Sequence, residues 1–526
     1  MSFGWQILEA FAAHGDKVAM VSGRSDITYS QALTQSGHLA ANFGASGIRP
    51  GDRVGLAMLD NIDVILSILA CWKIGATPVV VDFRTPRSQR ARQARDFDLR
   101  MVFESRAMPG DEVYPNALFD AGWKSASAPG SDVGPPASDA APAFLIFSSG
   151  TTGDPKAYTQ SHEALARRIA ARRGVVEGTA KRFLTPMALS YSAMRHQVFG
   201  YLLYGGIVRF FPPLFTPSEL IEALLSFQAS GTALAPSVIA RMVKEVGERA
   251  THLLPQLSVL YSVGGPARGE DKIAAYRYLS SGYRISYSSS LTGIISSLWG
   301  EDILAKPESA GRPVAGAQVE ILGADGRVLP QGERGLIKAW TPTMASAVLM
   351  PGNRLFVDPQ IMSSDWGIPG DIGFLDADGF ITIVDREADM IVRGGVSVAP
   401  QELEKLIRTH AKVQDVAVAG FPDETMGQEI AAFIVSDRGT VEEFQAFMRT
   451  NIAPDRRPRE IRLVASLPYS GNGKLLRRQL VETLAPHKGL ENSANACEPR
   501  NRPGLGCQHV EDRIDEGRRG GSDHQG

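Results

Sequence analysis

The chain has 526 residues, more than one compact hydrophobic core usually holds, so two or more domains are expected. Its composition, 44% hydrophobic and 21% charged, is that of an ordinary soluble globular protein. The formal net charge of -2 gives no electrostatic reason to expect a nucleic acid or an anionic membrane surface as a partner.

The cysteines and the N-terminus indicate where the protein resides. Cys71, Cys497 and Cys507 are too few and too scattered for a disulfide framework, and the last two lack zinc-site spacing. No basic segment followed by an apolar core begins the chain, so no signal peptide is expected. The apolar run at residues 64–72 is much shorter than the roughly 20 residues that span a bilayer, and it predicts a buried helix. We therefore expect a cytoplasmic protein without a membrane span.

The first 120 residues alternate between strand-like and helix-like patterns. Residues 53–59 (RVGLAML) and 77–83 (TPVVVDF) are rich in valine and bounded by Gly or Pro, which is typical of buried strands. The helix-like residues 61–73 lie between them, and this βαβ order predicts a parallel sheet. Residues 109–141 are rich in Pro, Ser, Gly and Ala and predict an irregular connection.

A strand at residues 144–147 is predicted next, followed by the loop SSGTTGDPK and a helix at residues 161–173 with Ser161 as N-cap. The alternation continues with a strand at 207–211, a helix at 218–229 and a strand at 259–263. After residue 310, short strands and Asp-Gly turns predict a more β-rich region.

A smaller α+β unit is predicted from about Arg386 onward. It has helix-like residues 401–410 and 441–451 and strand-like residues 416–419 and 429–435. Residues 489–526 have almost no apolar spacing and cannot bury enough surface to offset chain entropy, so we expect that tail to be disordered.

The loop SSGTTGDPK at residues 148–156 has the composition of a phosphate-binding loop. A Walker A loop is excluded because Pro155 precedes Lys156 and Ala157 follows it. A Rossmann loop is excluded because Gly150 and Gly153 are separated by two threonines. Its hydroxyls, backbone N–H groups and lysine suit a triphosphate, but the composition alone fits a surface turn of small residues equally well.

This loop resembles the signature of the adenylate-forming, AMP-binding superfamily, which includes acyl- and aryl-CoA synthetases, adenylation domains and luciferases. Further similar segments occur in the family's order over about residues 20–480. They are CWKIGATPVVVDFRTP, SVGGPA, YSSSLTG, KPESAGRPVAGAQVEIL, the segment from GDIGF to PQELE, and LPYSGNGKLLRRQL.

The resemblance implies an α/β fold with a large N-terminal domain of layered α/β subdomains and a β-rich subdomain, followed by a small mobile α+β domain. The expected divisions are an AMP-binding domain at 1–384, a hinge at 385–389, a C-terminal domain at 390–488 and a disordered tail at 489–526.

The resemblance also assigns nucleotide-binding residues. Tyr287 would stack on the adenine, Asp371 would accept hydrogen bonds from the ribose hydroxyls, and Arg386 would reach the ribose or a phosphate. Without the resemblance, these residues read as a strand aromatic, a turn residue and a surface charge. The other expected ATP-binding residues are Ser148, Ser149, Gly150, Thr151, Thr152, Gly153, Lys156, Gly264, Gly265, Pro266 and Ser290.

Further roles follow from the same resemblance. Lys474, in the loop GNGK, would bridge the attacking carboxylate and the α-phosphate, and with Lys156 it forms the expected catalytic pair. Gly394 and Gly395 would form the loop that comes forward for the thiol. The expected acyl-pocket residues are Leu189, Tyr191 and His196, although His196 fits a packed helical residue as well as a catalytic one.

The chain departs from the family pattern at two positions. Leu291 stands where the family has a magnesium-associated glutamate, which leaves the metal ligands unknown, with Glu301 and Asp302 as compensating candidates. Ala388 stands where the hinge residue is usually Asp or Lys.

The implied function is ATP-dependent activation of a carboxylic acid to an acyl-adenylate and transfer to a thiol, with ATP, Mg²⁺ and CoA as cofactors and co-substrate. Residues 183–215 contain no Asp or Glu to bind a substrate ammonium, which disfavours an α-amino acid and favours a neutral aryl or aliphatic acid. A separate carrier protein as the acceptor, and a degenerate non-catalytic family member, stay open as alternatives.

Overall fold

The computed structural model describes residues 1–23, 26–126, 138–147, 156–171, 181–355, 362–363, 366–469 and 475–484. Within these ranges, no helix is both long enough and apolar enough to cross a membrane. Residues 1–481 form one compact unit. The four-part division expected from the sequence stays a prediction.

Residues 3–171 alternate strands and helices, as the sequence predicts. The elements are α1 (Phe3–His14), β1 (Val18–Val21), β2 (Asp26–Thr28), α2 (Tyr29–Ala45), β3 (Arg53–Ala57), α3 (Asn61–Ile74), β4 (Thr77–Val80), α4 (Arg87–Asp96), β5 (Leu99–Glu104), β6 (Asn116–Leu118), a 3-10 turn (Ala121–Lys124), β7 (Pro142–Phe147), β8 (Ala157–Ser161) and α5 (His162–Ala170).

Residues 182–313 continue the alternation. The elements are β9 (Arg182–Thr185), α6 (Ser192–Leu203), β10 (Ile207–Phe210), α7 (Pro217–Ser226), β11 (Gly231–Leu234), α8 (Pro236–Val246), β12 (Val259–Ser262), α9 (Gly269–Ala274) with a following π-helical turn (Ala275–Leu279), β13 (Tyr283–Ser289), β14 (Gly293–Trp299), α10 (Asp302–Ala305) and β15 (Arg312–Pro313).

The remaining elements are mostly short strands, followed by a small α+β unit. They are β16 (Gln318–Leu322), β17 (Gly335–Trp340), β18 (Ala347–Met350), β19 (Arg354–Leu355), β20 (Met362–Ser363), β21 (Trp366–Gly367), β22 (Asp371–Leu375), β23 (Ile381–Arg386), a 3-10 turn (Glu387–Asp389), β24 (Ile391–Arg393), β25 (Val396–Val398), α11 (Pro400–Arg408), β26 (Asp415–Asp423), β27 (Gly427–Val435), α12 (Val441–Asn451), β28 (Glu460–Leu463) and α13 (Arg477–Glu482).

The largest sheet runs in the order β15-β14-β13-β12-β11-β9-β10-β1-β2. Its pairs from β1 through β10, β9, β11 and β12 to β13 are parallel, and the flanking pairs are antiparallel. Since the carboxyl ends of parallel strands meet at one edge, the loops after β9, β11, β12 and β13 lie together. This edge carries the site described below.

A second sheet, in the order β4-β3-β5-β6, is parallel throughout, which confirms the predicted βαβ unit around α3. The irregular connection predicted at residues 109–141 is wrong in part, because β6 and the 3-10 turn lie within it. The short run Asn-Ala-Leu gives little strand pattern of its own. It becomes a strand because β5 offers a free edge.

Side-chain caps fix several helix starts. Ser161 Oγ accepts a hydrogen bond from Ala164 N at 3.1 Å, which confirms the predicted N-cap of α5. Thr28 with Gln31, and Thr440 with Glu443, form capping boxes at α2 and α12.

Separate hydrophobic cores lie under the large sheet, on its other face and in the C-terminal α+β unit. The apolar residues 64–72 belong to α3 and are buried, as expected, and Cys71 lies among them.

Candidate active site

A cleft of about 2670 Å³ opens at the carboxyl edge of the large sheet. Its walls come from the loops after β9, β11, β12 and β13, from β8, and from the ends of β22 and β23. Helix α11 and residues 465–469 and 475–477 of the C-terminal unit close its other side. In open α/β sheets, ligands bind at this position because loops from several strands converge there.

Asp371, Tyr287 and Arg386 meet in this cleft. Asp371 begins β22 and Arg386 ends β23, and the two residues are opposite each other in the antiparallel register. Arg386 Nε donates to Asp371 Oδ1 at 3.1 Å, and the Tyr287 hydroxyl donates to Oδ2 at 2.7 Å. Burial and the Asp371 charge raise the pKa of Tyr287 well above its ordinary value, so this hydroxyl remains a donor.

The Asp371 carboxylate retains capacity for a ligand despite these two bonds. An ionised carboxylate offers about four acceptor positions, and Tyr287 and Arg386 use two of them. Two hydroxyl donors on adjacent carbons could therefore bind without displacing either protein partner. The arrangement suits a ribose diol.

The segment Gly264, Gly265 and Pro266 follows β12 and lines the cleft beside β13. Gly264 has a φ of 103°, which side-chain-bearing residues rarely adopt. A loop with little side-chain bulk leaves its backbone accessible to a flat ligand. Ser290 also lines the cleft, just after β13.

Leu291 is packed in an apolar cluster with Ala345 and Val348 and is 2% exposed. Next to it, the buried guanidinium of Arg168 donates to the carbonyls of Ser290 at 3.2 Å and Thr343 at 2.7 Å. The position where the family has a glutamate is therefore an apolar packing position in this chain.

Glu301 and Asp302 cannot replace the missing glutamate. They follow β14, which begins at Gly293, close to Leu291. The strand ends at Trp299, which pairs with Arg284 at the far end of the β13–β14 hairpin. Seven residues of strand extend over roughly 20 Å. Neither acidic residue belongs to the lining of the cleft in the part of the chain that the structure describes.

Magnesium would depend on the nucleotide in this cleft. Among the described residues, no group of three or more His, Cys, Asp or Glu side chains could hold a metal ion. Mg²⁺ commonly keeps several waters and binds through substrate phosphates with one or two carboxylates. The residues present therefore fit magnesium as a companion of a bound triphosphate and do not form a protein cage for it.

The family models match most of the chain. An AMP-binding enzyme model covers residues 8–349, and a model of the AMP-binding enzyme C-terminal domain covers residues 402–474. This chain belongs to the AMP-binding enzyme family. The superfamily resemblance and the enzyme assignment made from the sequence are confirmed.

Curated relatives of this AMP-binding enzyme are CoA ligases. It is 26% identical to a 2-succinylbenzoate–CoA ligase of Geobacillus sp. (strain WCH70), over 91% of this chain and 97% of that protein. It is also 26% identical to the long-chain-fatty-acid–CoA ligase FadD13 of Mycobacterium tuberculosis, over 91% and 98% of the two chains.

Solved structures share the fold of this AMP-binding enzyme. The o-succinylbenzoate CoA synthetase of Bacillus subtilis, in complex with its acyl-adenylate intermediate, superposes with a TM-score of 0.80 at 21% identity, covering 90% of this chain and 97% of that one. The amide bond synthetase McbA of Marinactinospora thermotolerans gives 0.76 at 22% identity, with 92% and 99% covered. The α/β fold class predicted from the sequence is confirmed.

Several predicted site residues of this AMP-binding enzyme lie outside the described residues. They are Ser148, Ser149, Gly150, Thr151, Thr152, Gly153 and Lys474. Lys156, just before β8, lines the cleft, and so do Tyr469 and Leu475 on either side of the Lys474 segment. Gly394 and Gly395 form the left-handed turn between β24 and β25, which contributes no described residue to the cleft lining.

The three predicted acyl-pocket residues have different surroundings. Leu189 is 1% exposed in the hydrophobic core and is not among the described residues that line the cleft. Tyr191 lies at the start of α6 and lines the cleft. His196 also lines it, with Nε2 at 3.1 Å from Gln160 Oε1, so its ring is held in place by a neighbouring side chain.

Arg195 is a residue of the acyl region that the sequence reasoning missed. It is 1% exposed, lines the cleft, and its guanidinium lies 4.7 Å from the centre of the Phe144 ring. Burial lowers its pKa to about 9. The sequence carried a signal in YSAMRHQVFGYLL, where one arginine interrupts a mainly apolar helix.

Proposed function

We propose that this enzyme activates a carboxylic acid with ATP and transfers the acyl group to CoA. The observation that carries the proposal is the Asp371 carboxylate, held by Tyr287 and Arg386 in the cleft with acceptor positions left for a ribose. The family membership supplies the nucleotide, and the CoA ligases among the relatives support CoA as the acceptor.

In the first half-reaction, a carboxylate oxygen of the acid attacks the α-phosphorus of ATP. The new O–P bond forms as the bond to the β-phosphate oxygen breaks, and pyrophosphate leaves. The protein needs mainly to position the groups and to balance negative charge. We assign phosphate contacts to Lys156 and Arg386 and the bridge between carboxylate and α-phosphate to Lys474.

In the second half-reaction, the CoA sulfur attacks the carbonyl carbon of the acyl-adenylate. The C–S bond forms, the bond to the AMP oxygen breaks, and the thiol proton passes to solvent or to the leaving phosphate. We assign the approach of the thiol to the turn at Gly394 and Gly395, reached by rotation about residues 385–389. Magnesium, if bound with ATP, would neutralise part of the phosphate charge.

One observation favours a second candidate, a nucleotide-binding protein without turnover. Leu291 occupies an apolar cluster where the family has a carboxylate, and Glu301 and Asp302 are too far away to compensate. Loading of a separate carrier protein is the other alternative for the acceptor.

The deciding experiment measures pyrophosphate release from ATP over a panel of carboxylic acids, with and without CoA, and identifies the thioester by mass spectrometry. We expect acid-dependent pyrophosphate release and an acyl-CoA product. No release with any acid would favour the non-catalytic alternative. Release without acyl-CoA would favour a carrier-protein acceptor.

Lys474→Ala tests the role given to that lysine. We expect at least a 100-fold loss of pyrophosphate release, because a charge placed at the reacting phosphate acts mainly in the transition state. Lys412→Ala is the matched control, since Lys412 pairs with Glu443 at an exposed position away from the cleft. Unchanged release in Lys474→Ala would refute the assignment.

A further inference from the structure

We propose that Arg195 is an anion-binding residue of the acyl pocket, and that the acid activated here carries a second anionic group, as a dicarboxylic acid does. The inference rests on the proposed function, because it names the class of acid used at the same site. It replaces the neutral acid expected from the sequence.

The hydrogen bonds of Arg195 leave part of its guanidinium unused. Its Nη1 donates to the carbonyls of Leu189 at 2.6 Å and Ser190 at 3.1 Å, which fixes the group at the start of α6. Its Nε is buried and has no hydrogen-bond partner in the part of the chain that the structure describes. Because buried donors in proteins are nearly always paired, this one is suited to a ligand.

Arg195 also lacks the carboxylate partner that Arg90 and Arg393 have. Arg90 pairs with Glu104 at 2.8 Å, and Arg393 pairs with Glu429 at 2.9 Å. In the described part of the chain, no carboxylate lies within ion-pairing distance of Arg195, and the negative face of the Phe144 ring is a weak substitute. A buried cation without a counter-ion destabilises a fold. An anion that arrives with the substrate would offset the free-energy cost of burying this charge.

The neighbouring side chains extend the polar surface. Tyr191 is the N-cap residue of α6 and lines the same cleft as Arg195, and its buried hydroxyl has no hydrogen-bond partner among the described residues. Gln197 lines the cleft as well, with a buried Oε1 that accepts no described hydrogen bond. A cation and a hydroxyl donor that line one cleft suit a carboxylate, and the amide oxygen suits a donor on the same ligand.

The position of Arg195 separates it from the nucleotide groups. It packs on Phe144, which is fully buried in the core under the large sheet, whereas the Arg386 side chain at the nucleotide end is 43% exposed. The second anion would therefore bind at a more buried position than the nucleotide groups near Arg386.

The test compares acids that differ only in the second carboxylate: adipate with hexanoate, and 2-succinylbenzoate with 4-oxo-4-phenylbutanoate. Acid-dependent pyrophosphate release gives kcat/KM for each. We expect the wild-type enzyme to prefer a dicarboxylate in at least one pair by roughly 10- to 100-fold, the range for a hydrogen bond to a charged group. Equal or better use of the monocarboxylate in both pairs would overturn the proposal.

Two substitutions at Arg195 test whether this residue causes the preference for a dicarboxylate. Arg195→Met, which keeps the length and the apolar stem, is expected to remove the preference while leaving KM for ATP within about threefold, and Arg195→Lys to restore part of it. Arg182→Met is the matched control. Arg182 also stacks on a phenylalanine, 4.3 Å from the Phe227 ring, and donates to a carbonyl, but it lies outside the cleft lining.

The outcomes are distinct. A preference that survives in Arg195→Met, or that is lost equally in Arg182→Met, would overturn the role of Arg195. If Arg195→Met does not fold, the wild-type comparison and Arg195→Lys decide. Absence of turnover with every acid would instead overturn the proposed function, and the inference with it.

Discussion

In this account, nucleotide binding depends most on the carboxylate of Asp371. Asp371→Asn keeps the size of the side chain and an acceptor for the Tyr287 hydroxyl but removes the charge. We expect roughly 10- to 100-fold weaker AMP binding by titration calorimetry, because charge-assisted bonds to the ribose are lost. The half-exposed Arg386 can turn to water, so the fold should survive.

Asp378→Asn is the control for that substitution. Asp378 lies on an exposed turn and pairs with Lys306, outside the cleft. The AMP affinity of the Asp378→Asn variant should match that of the wild type. Equal affinities in Asp371→Asn and the wild type would show that the ribose binds elsewhere.

Leu291 gives a second prediction at the residue scale. Leu291→Glu restores the family's residue type, yet it places a carboxylate among Ala345 and Val348. We expect a loss of about 2–4 kcal/mol in the free energy of unfolding, measured by urea denaturation, and no gain in turnover. Leu291→Met should be nearly neutral. Faster turnover at unchanged stability would mean that the missing carboxylate limits the rate.

The sequence predicted site residues where a motif carried them. Tyr287, Asp371 and Arg386 could be named because they lie in segments that resemble the family's motifs, and the structure brings them together. Leu189 was placed in the acyl pocket, but it precedes α6 and packs in the hydrophobic core. Arg195 was missed because burial without a counter-ion is a property of the folded surroundings and leaves no trace in residue spacing.

At the element scale, His162 joins α5 to α1. Its Nδ1 accepts from Gly4 N at 3.1 Å, and its ring packs against Trp72. A β-carbon on Gly4 would lie 3.0 Å from the His162 ring and 3.1 Å from Trp72, so a larger residue there would require its neighbours to shift slightly. Burial lowers the pKa of His162 to about 4.

This pKa shift predicts a dependence of stability on pH. Between about pH 6.5 and 4, unfolded His162 binds a proton and the folded residue does not, so stability is complete above pH 6.5 and falls as the pH decreases. We expect this residue to contribute up to about 3 kcal/mol to the loss between pH 7 and 4. Urea midpoints should show a flatter profile for His162→Gln. Parallel profiles would contradict the assignment.

The positions of helices and strands were more predictable from the sequence than the pairing between strands. The cap at Ser161 and the valine-rich strands depend on nearby residues, and both were found. Strand β6 was missed because its pairing partner in β5 lies 14 residues earlier in the chain, as Val102 and Asn116 show (116 − 102). The register of paired strands and the order of strands in a sheet depend on contacts between elements that are distant in sequence.

At the scale of the whole molecule, exposed ion pairs join the C-terminal unit to the rest of residues 1–481. Arg334 pairs with Glu402, and Lys405 pairs with Glu308 at 2.9 Å, both at the rim of the cleft. Exposed pairs contribute only about 0.2–1 kcal/mol each. Such weak contacts are compatible with the rotation proposed above for this unit.

The double variant Arg334→Gln with Lys405→Gln tests this view. If the arrangement held by these pairs is the one used for adenylation, we expect the urea midpoint to stay close to that of the wild type, while acid-dependent pyrophosphate release falls by up to about tenfold, because that arrangement is less populated. Raised salt should narrow the difference between the variant and the wild type. A large loss of stability would show that the ion pairs stabilise the fold and do not select the position of the C-terminal unit.

The central claim is formation of an acyl-adenylate, and exchange of labelled pyrophosphate into ATP measures it most directly. The reaction runs without CoA and reports the first half-reaction alone. The account predicts exchange that requires a carboxylic acid and is nearly abolished in Lys474→Ala and strongly reduced in Asp371→Asn. Exchange that proceeds without any acid, or its absence with every acid while AMP still binds, would contradict it.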